Sequence, residues 1–278
     1  MVVEKLVNLG ARKVFVKIIG DGAPIVFLHG GPGSEHSFFL PHVIPLSQNF
    51  KLVLYDQTGC GKSEPDANGL YSMNQEVMTL EMLRTELNLD KINLFGESWG
   101  SMLALLYATR YPEQVNKIFL TAAIGITSEG FRRFKEKLLS RLSLVDKFRL
   151  FKVDRARRRG RASFEDVLNI LDPYYVFSKD ALTAKASYRM NAVANQLISE
   201  DIENNYDLSG STDKLSRIPI VVVQGRDDIL SPKEIGKLLL NYIPHAKLYA
   251  IENSGHWVVV EKPNEINAIA QEFLAPKC

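Results

Sequence analysis

The sequence predicts an α/β domain, a mostly parallel sheet flanked by helices, with a helical insertion near its middle. Three observations predict it. Short apolar runs of strand length recur along the chain, longer stretches of helical pattern lie between them, and the alternation fails over residues 125–212.

In chain order the apolar runs are 13–19, 23–28, 50–55, 91–95, 117–121, 218–223 and 247–251. They are rich in β-branched residues and apolar on both alternating sides, which predicts strands buried on both faces. The helical stretches are equally legible. Residues 75–89 carry Val77, Leu80, Leu83 and Leu87 at helical spacing, and 101–111 is a compact apolar helix stopped by Pro112. Ser231-Pro232 suits the cap and first turn of a helix over 232–242, and a last helix covers 265–274.

The predicted sheet domain therefore comprises 1–124 and 213–278, and the insertion is a helical cap over 125–212. Within the cap, Phe131, Phe134, Leu138, Leu142, Val145 and Phe148 recur every three or four residues. Dense positive charge lies between Arg132 and Arg161. The expectation is a cap whose apolar face rests on the sheet domain and whose charges stay in water. The alternative is a basic amphipathic helix that associates with a membrane surface.

Composition limits the function classes. With 46% hydrophobic and 24% charged residues, the 278-residue chain can build a core around a water-poor site. A net charge of only +2 gives no reason to expect a nucleic-acid partner. Two cysteines, Cys60 and Cys278, suggest no disulfide framework, and residues 1–10 lack a signal-peptide pattern, so the cytoplasm is the expected compartment. No apolar run approaches the roughly 20 residues of a membrane span, so no stable membrane insertion is expected. No Cys/His cluster has metal-ligand spacing and no GxGxxG follows the first strand, so no cofactor or metal is expected. The segment Thr58-Gly59-Cys60-Gly61-Lys62-Ser63 is not a phosphate-binding loop, because Asp56 stands where that pattern needs glycine.

Chemistry enters at Gly96-Glu97-Ser98-Trp99-Gly100, which matches G-x-S-x-G between a predicted strand and a predicted helix. So tight a turn excludes Cβ atoms on either side of the serine, holds the serine in a strained conformation and aims a helix N-terminus at the developing anion. Ser98 is thus the candidate nucleophile, and it needs a base. Of five histidines, only His245 and His256 follow it. His256 lies after the last predicted strand, whereas His245 lies before that strand, at the opposite end of the sheet. His256 is the candidate base. The acid is expected after the run 218–223, where Asp227 and Asp228 stand side by side; Asp228 is preferred because the chain needs room to turn after Gly225. Acyl transfer also needs oxyanion donors. The Trp99 N–H is one candidate, and Gly31 in His29-Gly30-Gly31-Pro32-Gly33 is the other. Gly30 in that loop lets backbone approach the substrate, and His29 is expected to hydrogen-bond loop backbone.

Together, His29-Gly30-Gly31-Pro32-Gly33, the stretch from Asp56 to Ser63, Gly96-Glu97-Ser98-Trp99-Gly100-Ser101 and Gly225-Arg226-Asp227-Asp228 resemble proline iminopeptidases. These are serine aminopeptidases of the α/β-hydrolase superfamily, with the patterns HGGPG, DQRGxGxS, GxSWGS and GRxD. The resemblance spans the predicted sheet domain. It implies the α/β-hydrolase fold with a helical cap, an acyl-enzyme mechanism with Ser98, Asp228 and His256, and oxyanion donors at Gly31 and Trp99. In the cap, Asp201-Ile202-Glu203-Asn204-Asn205-Tyr206 is similar to the family's IEN-x-Y segment, which implies that Glu203 helps bind the substrate's amino terminus. Thr58 stands where the family has arginine, and the cap has no tryptophan to mark the second acidic ligand. The implied activity is release of N-terminal residues, preferably proline, from small peptides. The alternatives are a carboxylesterase or lipase-like hydrolase of small acyl esters and a catalytically silent binding protein on the same fold.

Overall fold

A computed structural model describes residues 2–184 and 190–276 of the chain; Cys278 lies outside the described residues. Eight strands form one sheet: β1 (Val2–Leu9), β2 (Arg12–Ile19), β3 (Ala23–Leu28), β4 (Phe50–Tyr55), β5 (Ile92–Glu97), β6 (Val115–Thr121), β7 (Ile220–Gly225) and β8 (Lys247–Ile251). Their order is β1-β2-β4-β3-β5-β6-β7-β8. The pairs β1/β2 and β2/β4 are antiparallel and the rest parallel. This is the α/β-hydrolase fold that the motifs imply.

Adjacent residues of the central strands feed two separate cores, the period of two expected of a strand. Val26, Leu94, Leu120 and Val222 pack under α1 (Met73–Glu86) and α2 (Trp99–Arg110). Phe27, Phe95, Phe119 and Val221 face the other way. Phe27, Phe95 and Phe119 form a ladder of rings, with centroids 4.9 and 4.8 Å apart, across three parallel strands. Each such buried side chain contributes about 1.5–3 kcal/mol. The short α7 (Pro232–Ile235) lies after β7, and α8 (Val258–Glu261) with α9 (Pro263–Leu274) closes the second face.

Three elements differ from expectation. Strand β8, expected to be buried on both faces, is an edge of the sheet, and only its Ile251 is buried. Strand β1 is an edge strand in which Val2 and Leu6 are exposed and only Val7 and Leu9 are buried. Glu4 and Lys17 pair across it at 2.9 Å. Interleaved charge leaves no apolar run to read, which is how exposed edges are protected. The helix expected over 232–242 is α-helical only through Ile235 and then widens into a π-helical turn, with the Asn241 N–H reaching the Gly236 carbonyl at 3.0 Å.

Between β6 and β7 lie α3 (Ser128–Arg141), α4 (Leu144–Arg157), α5 (Phe164–Leu171) and α6 (Ala192–Asn205). The chain enters and leaves this helical segment side by side, through a bridge between Thr127 and Asp207. Phe131, Phe134, Leu138 and Leu142 are buried, as the periodicity requires, but Val145 and Phe148 are 68% and 58% exposed. The expectation that they also face the sheet domain is corrected. Leu142 leaves the helical region (ψ 136°) and Ser143 caps a new helix by accepting from the Asp146 N–H at 3.1 Å, so the phase of the apolar stripe is reset. No described helix is long and apolar enough to cross a membrane.

Candidate active site

The sheet order reverses at β3, whose neighbours are β4 and β5, and in open α/β sheets ligands bind beyond the carboxyl ends of strands at such a point. Here β3 delivers the loop His29–Gly33 and β5 delivers Ser98. Ser98 has φ 53° and ψ −116°, a conformation that L residues rarely adopt, and α2 begins at the next residue. The flanking glycines are demanded by close approach. A Cβ at Gly100 would lie 1.9 Å from the Leu28 carbonyl oxygen, and one at Gly96 would lie 2.3 Å from the Gly100 carbonyl oxygen.

Three side chains from three loops meet in a line. Ser98 Oγ lies 2.9 Å from His256 Nε2, and His256 Nδ1 lies 2.9 Å from Asp228 Oδ1. These partners set the tautomer: Nδ1–H donates to the carboxylate and Nε2 accepts from the hydroxyl. Asp228 is buried, whereas Asp227 is exposed and shares only its backbone with the site. Burial alone would lower the His256 pKa, but the charge and hydrogen bond of Asp228, helped by Glu97, outweigh it and leave it raised. The imidazole is packed against Phe134 and Tyr175, with ring centroids 4.7 and 5.6 Å away.

Several groups position this line. Gln224, fully buried on β7, donates to Asp228 Oδ2 at 2.6 Å and to the Leu230 carbonyl at 3.0 Å, while its own carbonyl accepts from the Ala123 N–H at 2.8 Å. Arg141, the last residue of α3, donates to the backbone carbonyls of Asp227 and Asp228 at 3.1 and 2.6 Å. Glu261 accepts from the N–H groups of Gly255, Phe177 and Ser178 at 2.7, 2.8 and 2.9 Å, bracing the His256 loop.

At the oxyanion side, Trp99 opens α2, so its N–H has no carbonyl one turn earlier in the helix to bind. Gly31 has φ 113°, and a Cβ there would lie 2.9 Å from the nitrogens of Gly33 and Ser34. One side-chain network ties the two loops together. The Trp99 indole donates to Gln57 Oε1 at 2.8 Å; Gln57 Nε2 donates to the His29 carbonyl at 2.9 Å, and His29 Nε2 accepts from the Gln57 N–H at 3.0 Å. Burial lowers the His29 pKa to about 4, so the ring is neutral and donates from Nδ1 to the Gly30 carbonyl at 3.1 Å, the backbone role expected of it.

A cavity of about 610 Å³ lies between this line and the helical segment. Its walls include Phe131, Phe134, Leu138, Phe164, Leu168 and Tyr175, and its floor includes Gly30, Gly31, Ser98 and His256. Two carboxylates matter. Glu203 lines the cavity but pairs with Lys135 on α3, and its side chain is 34% exposed. Glu97 is only 4% exposed, and a Cβ on Gly30 would lie 2.1 Å from its Oε2. Burial, opposed by the charge of His256 and the Gly30 N–H, pushes the Glu97 pKa up to about 7.

The site residues singled out by sequence are thus brought together: Ser98, His256, Gly30, Gly31 and Glu203 line the cavity, Asp228 stands behind His256, and Trp99 follows Ser98. Glu97, Gln224, Arg141 and Glu261 were not anticipated. Glu97 carried a signal, since a carboxylate directly before the candidate nucleophile on a buried strand has nowhere to go but the site. Gln224 likewise ends the apolar run of β7. Arg141 acts across 86 and 87 residues, and Glu261 ties Gly255 to the distant Phe177 and Ser178; neither carried a signal. Among the described residues no group of three or more His, Cys, Asp or Glu side chains could hold a metal ion.

Comparison with known proteins agrees with this fold. A family profile described as alpha/beta hydrolase fold matches residues 23–263. A proline iminopeptidase of Lactobacillus helveticus (strain DPC 4571) is 28% identical over 295 residues, covering 98% of each chain. One from Lacticaseibacillus rhamnosus (strain Lc 705) is 29% identical over 281 residues, covering 95% of this chain and 94% of its own. Among solved structures, an alpha/beta fold family hydrolase from Bacillus anthracis str. Sterne superposes with a TM-score of 0.79 at 22% identity, covering 98% of this chain and 99% of its own.

Proposed function

The chain belongs to the α/β-hydrolase family, and on that premise we propose that it is a serine aminopeptidase that releases N-terminal residues, preferably proline, from small peptides through an acyl-enzyme. The observation that carries the hydrolytic chemistry is the unbroken line Asp228–His256–Ser98, with both contacts at 2.9 Å.

In this reading Ser98 Oγ attacks the scissile carbonyl carbon while His256 Nε2 takes its proton. Asp228 keeps the ring oriented and stabilises the imidazolium without accepting the proton. The N–H groups of Trp99 and Gly31 receive the oxyanion. The C–N bond then breaks, His256 returns the proton to the leaving amine, and the acyl group stays on Ser98. Water, deprotonated by the same imidazole, hydrolyses the ester and restores the hydroxyl.

The peptide preference needs a ligand for an amino group. The amine of an N-terminal residue is two bonds from the attacked carbon, so its partner must stand beside Ser98. Glu97 stands there. Glu203 lines the same cavity but is more exposed and pairs with Lys135, so it acts as a secondary carboxylate. Turnover of prolyl and alanyl nitroanilides tests the proposal. Failure on all of them, with good cleavage of butyrate esters, would replace it by the carboxylesterase reading, which the aromatic and aliphatic cavity walls favour.

A further inference from the structure

From α4 we infer a docking surface for anionic lipid bilayers, a property separate from the peptidase reading. Leu144, Val145, Phe148 and Phe151 are 84%, 68%, 58% and 63% exposed, and no residue of this 14-residue helix is buried. At 100° per residue these four side chains occupy one face, while Asp146, Leu150, Val153 and Asp154 turn the other way and are partly buried. Leu150 packs on the main core, and the Tyr174 hydroxyl holds the Asp146 carboxylate at 2.7 Å. The helix is therefore seated in a fixed orientation, with its aromatic face outward.

Charge identifies what the face meets. Residues 144–161 contain eight basic and two acidic side chains, a local excess of six in a chain whose total is +2. Both acids are already paired, Asp146 with Arg149 at 3.0 Å and Asp154 with Arg158 at 2.9 Å. Lys147, Lys152 and Arg155 are exposed beside the aromatic face, and Lys152 Nζ lies 4.5 Å from the centre of the Phe148 ring. Self-pairing of two such faces would set the same cations against one another. A bilayer with anionic headgroups satisfies both parts of the pattern: phosphates take the lysines and arginines, and the acyl boundary takes the two phenylalanines and Leu144.

Vesicle co-sedimentation of the full-length chain tests this. Phosphatidylglycerol-rich vesicles are expected to carry the protein down and phosphatidylcholine vesicles to leave it in solution. Phe148→Ser with Phe151→Ser should lower partitioning at least about tenfold. Lys147→Glu with Lys152→Glu should lower it by about fivefold or more per cation removed. Unchanged thermal melting and unchanged hydrolysis of a water-soluble substrate would show that both variants are folded. The proposal is overturned if anionic vesicles at low salt bind no protein, if both lipids bind it equally, or if the phenylalanine variant binds as the wild type does. It is equally overturned if the face instead drives a concentration-dependent dimer that the phenylalanine variant abolishes.

Discussion

Glu97→Gln separates an amino-group ligand from a merely structural carboxyl. The side chain is 4% exposed and holds a pKa near 7 instead of 4.5, so at about 1.4 kcal/mol per unit its ionisation in the empty site costs roughly 3 kcal/mol. A substrate ammonium offsets that cost by placing a positive charge against the carboxylate. Glutamine keeps the shape and still accepts from the Gly30 N–H, but it loses the charge. A hydrogen bond to a charged group contributes about 1.5–3 kcal/mol, which predicts a loss of roughly 10- to 100-fold in kcat/KM on prolyl nitroanilide. Neutral esters, which carry no ammonium, should lose little. The pH profile adds a second signature. Glu97 helps to raise the His256 pKa, so its removal moves the acid limb of ester hydrolysis to lower pH. Measuring kcat/KM against pH on both substrates decides the matter. Equal losses on ester and anilide, or none on the anilide, would refute the role.

Other outcomes follow from the same geometry. Ser98→Ala should cut turnover by roughly 10⁴- to 10⁶-fold while the melting curve is retained, and a serine-directed phosphonate should label only the wild type in mass spectrometry. In the wild type, ester hydrolysis should rise with pH through a pKa above 6.5, because the His256 value is raised and the base works only when neutral. Gln224→Leu strands the Ala123 N–H and Asp228 Oδ2 in the interior; a stability loss of about 1–3 kcal/mol in urea unfolding is expected, with lower kcat. Glu76 is fully buried on α1, and burial pushes its pKa from 4.5 to about 7. Because the folded value is the higher one, its stability contribution is complete below pH 4.5 and is lost as pH rises through 7. Glu76→Gln should therefore raise Tm at pH 8 and leave it nearly unchanged at pH 5.

The central strands were readable because both their faces are buried, so Ile25–Leu28 or Leu94–Phe95 show as unbroken apolar runs. The edge was not, since β1 exposes six of its eight positions to water. The candidate nucleophile and base were legible because chain order and strand ends confine them; the choice between Asp227 and Asp228 rested on one residue of turn geometry, and only Asp228 reaches the imidazole. The helical segment was least legible. Its apolar period runs on through Val145 and Phe148, but two residues, Leu142 and Ser143, leave helical backbone and turn the later residues outward. Periodicity reports spacing within a helix and is blind to a kink between two.

Arg141 gives the helical segment a bearing on chemistry as well as on substrate fit. Its guanidinium grips the peptide carbonyls of the very loop that presents Asp228, so the wall of the cavity and the far end of the Ser98–His256–Asp228 line are fastened by one side chain. Such segments invite exchange as interchangeable parts, a means of grafting one protein's selectivity onto another's machinery. In this chain the part is not free-standing. A transplant that omitted Arg141 would change what enters the cavity and, in the same stroke, loosen the clasp that keeps Asp228 in register with His256.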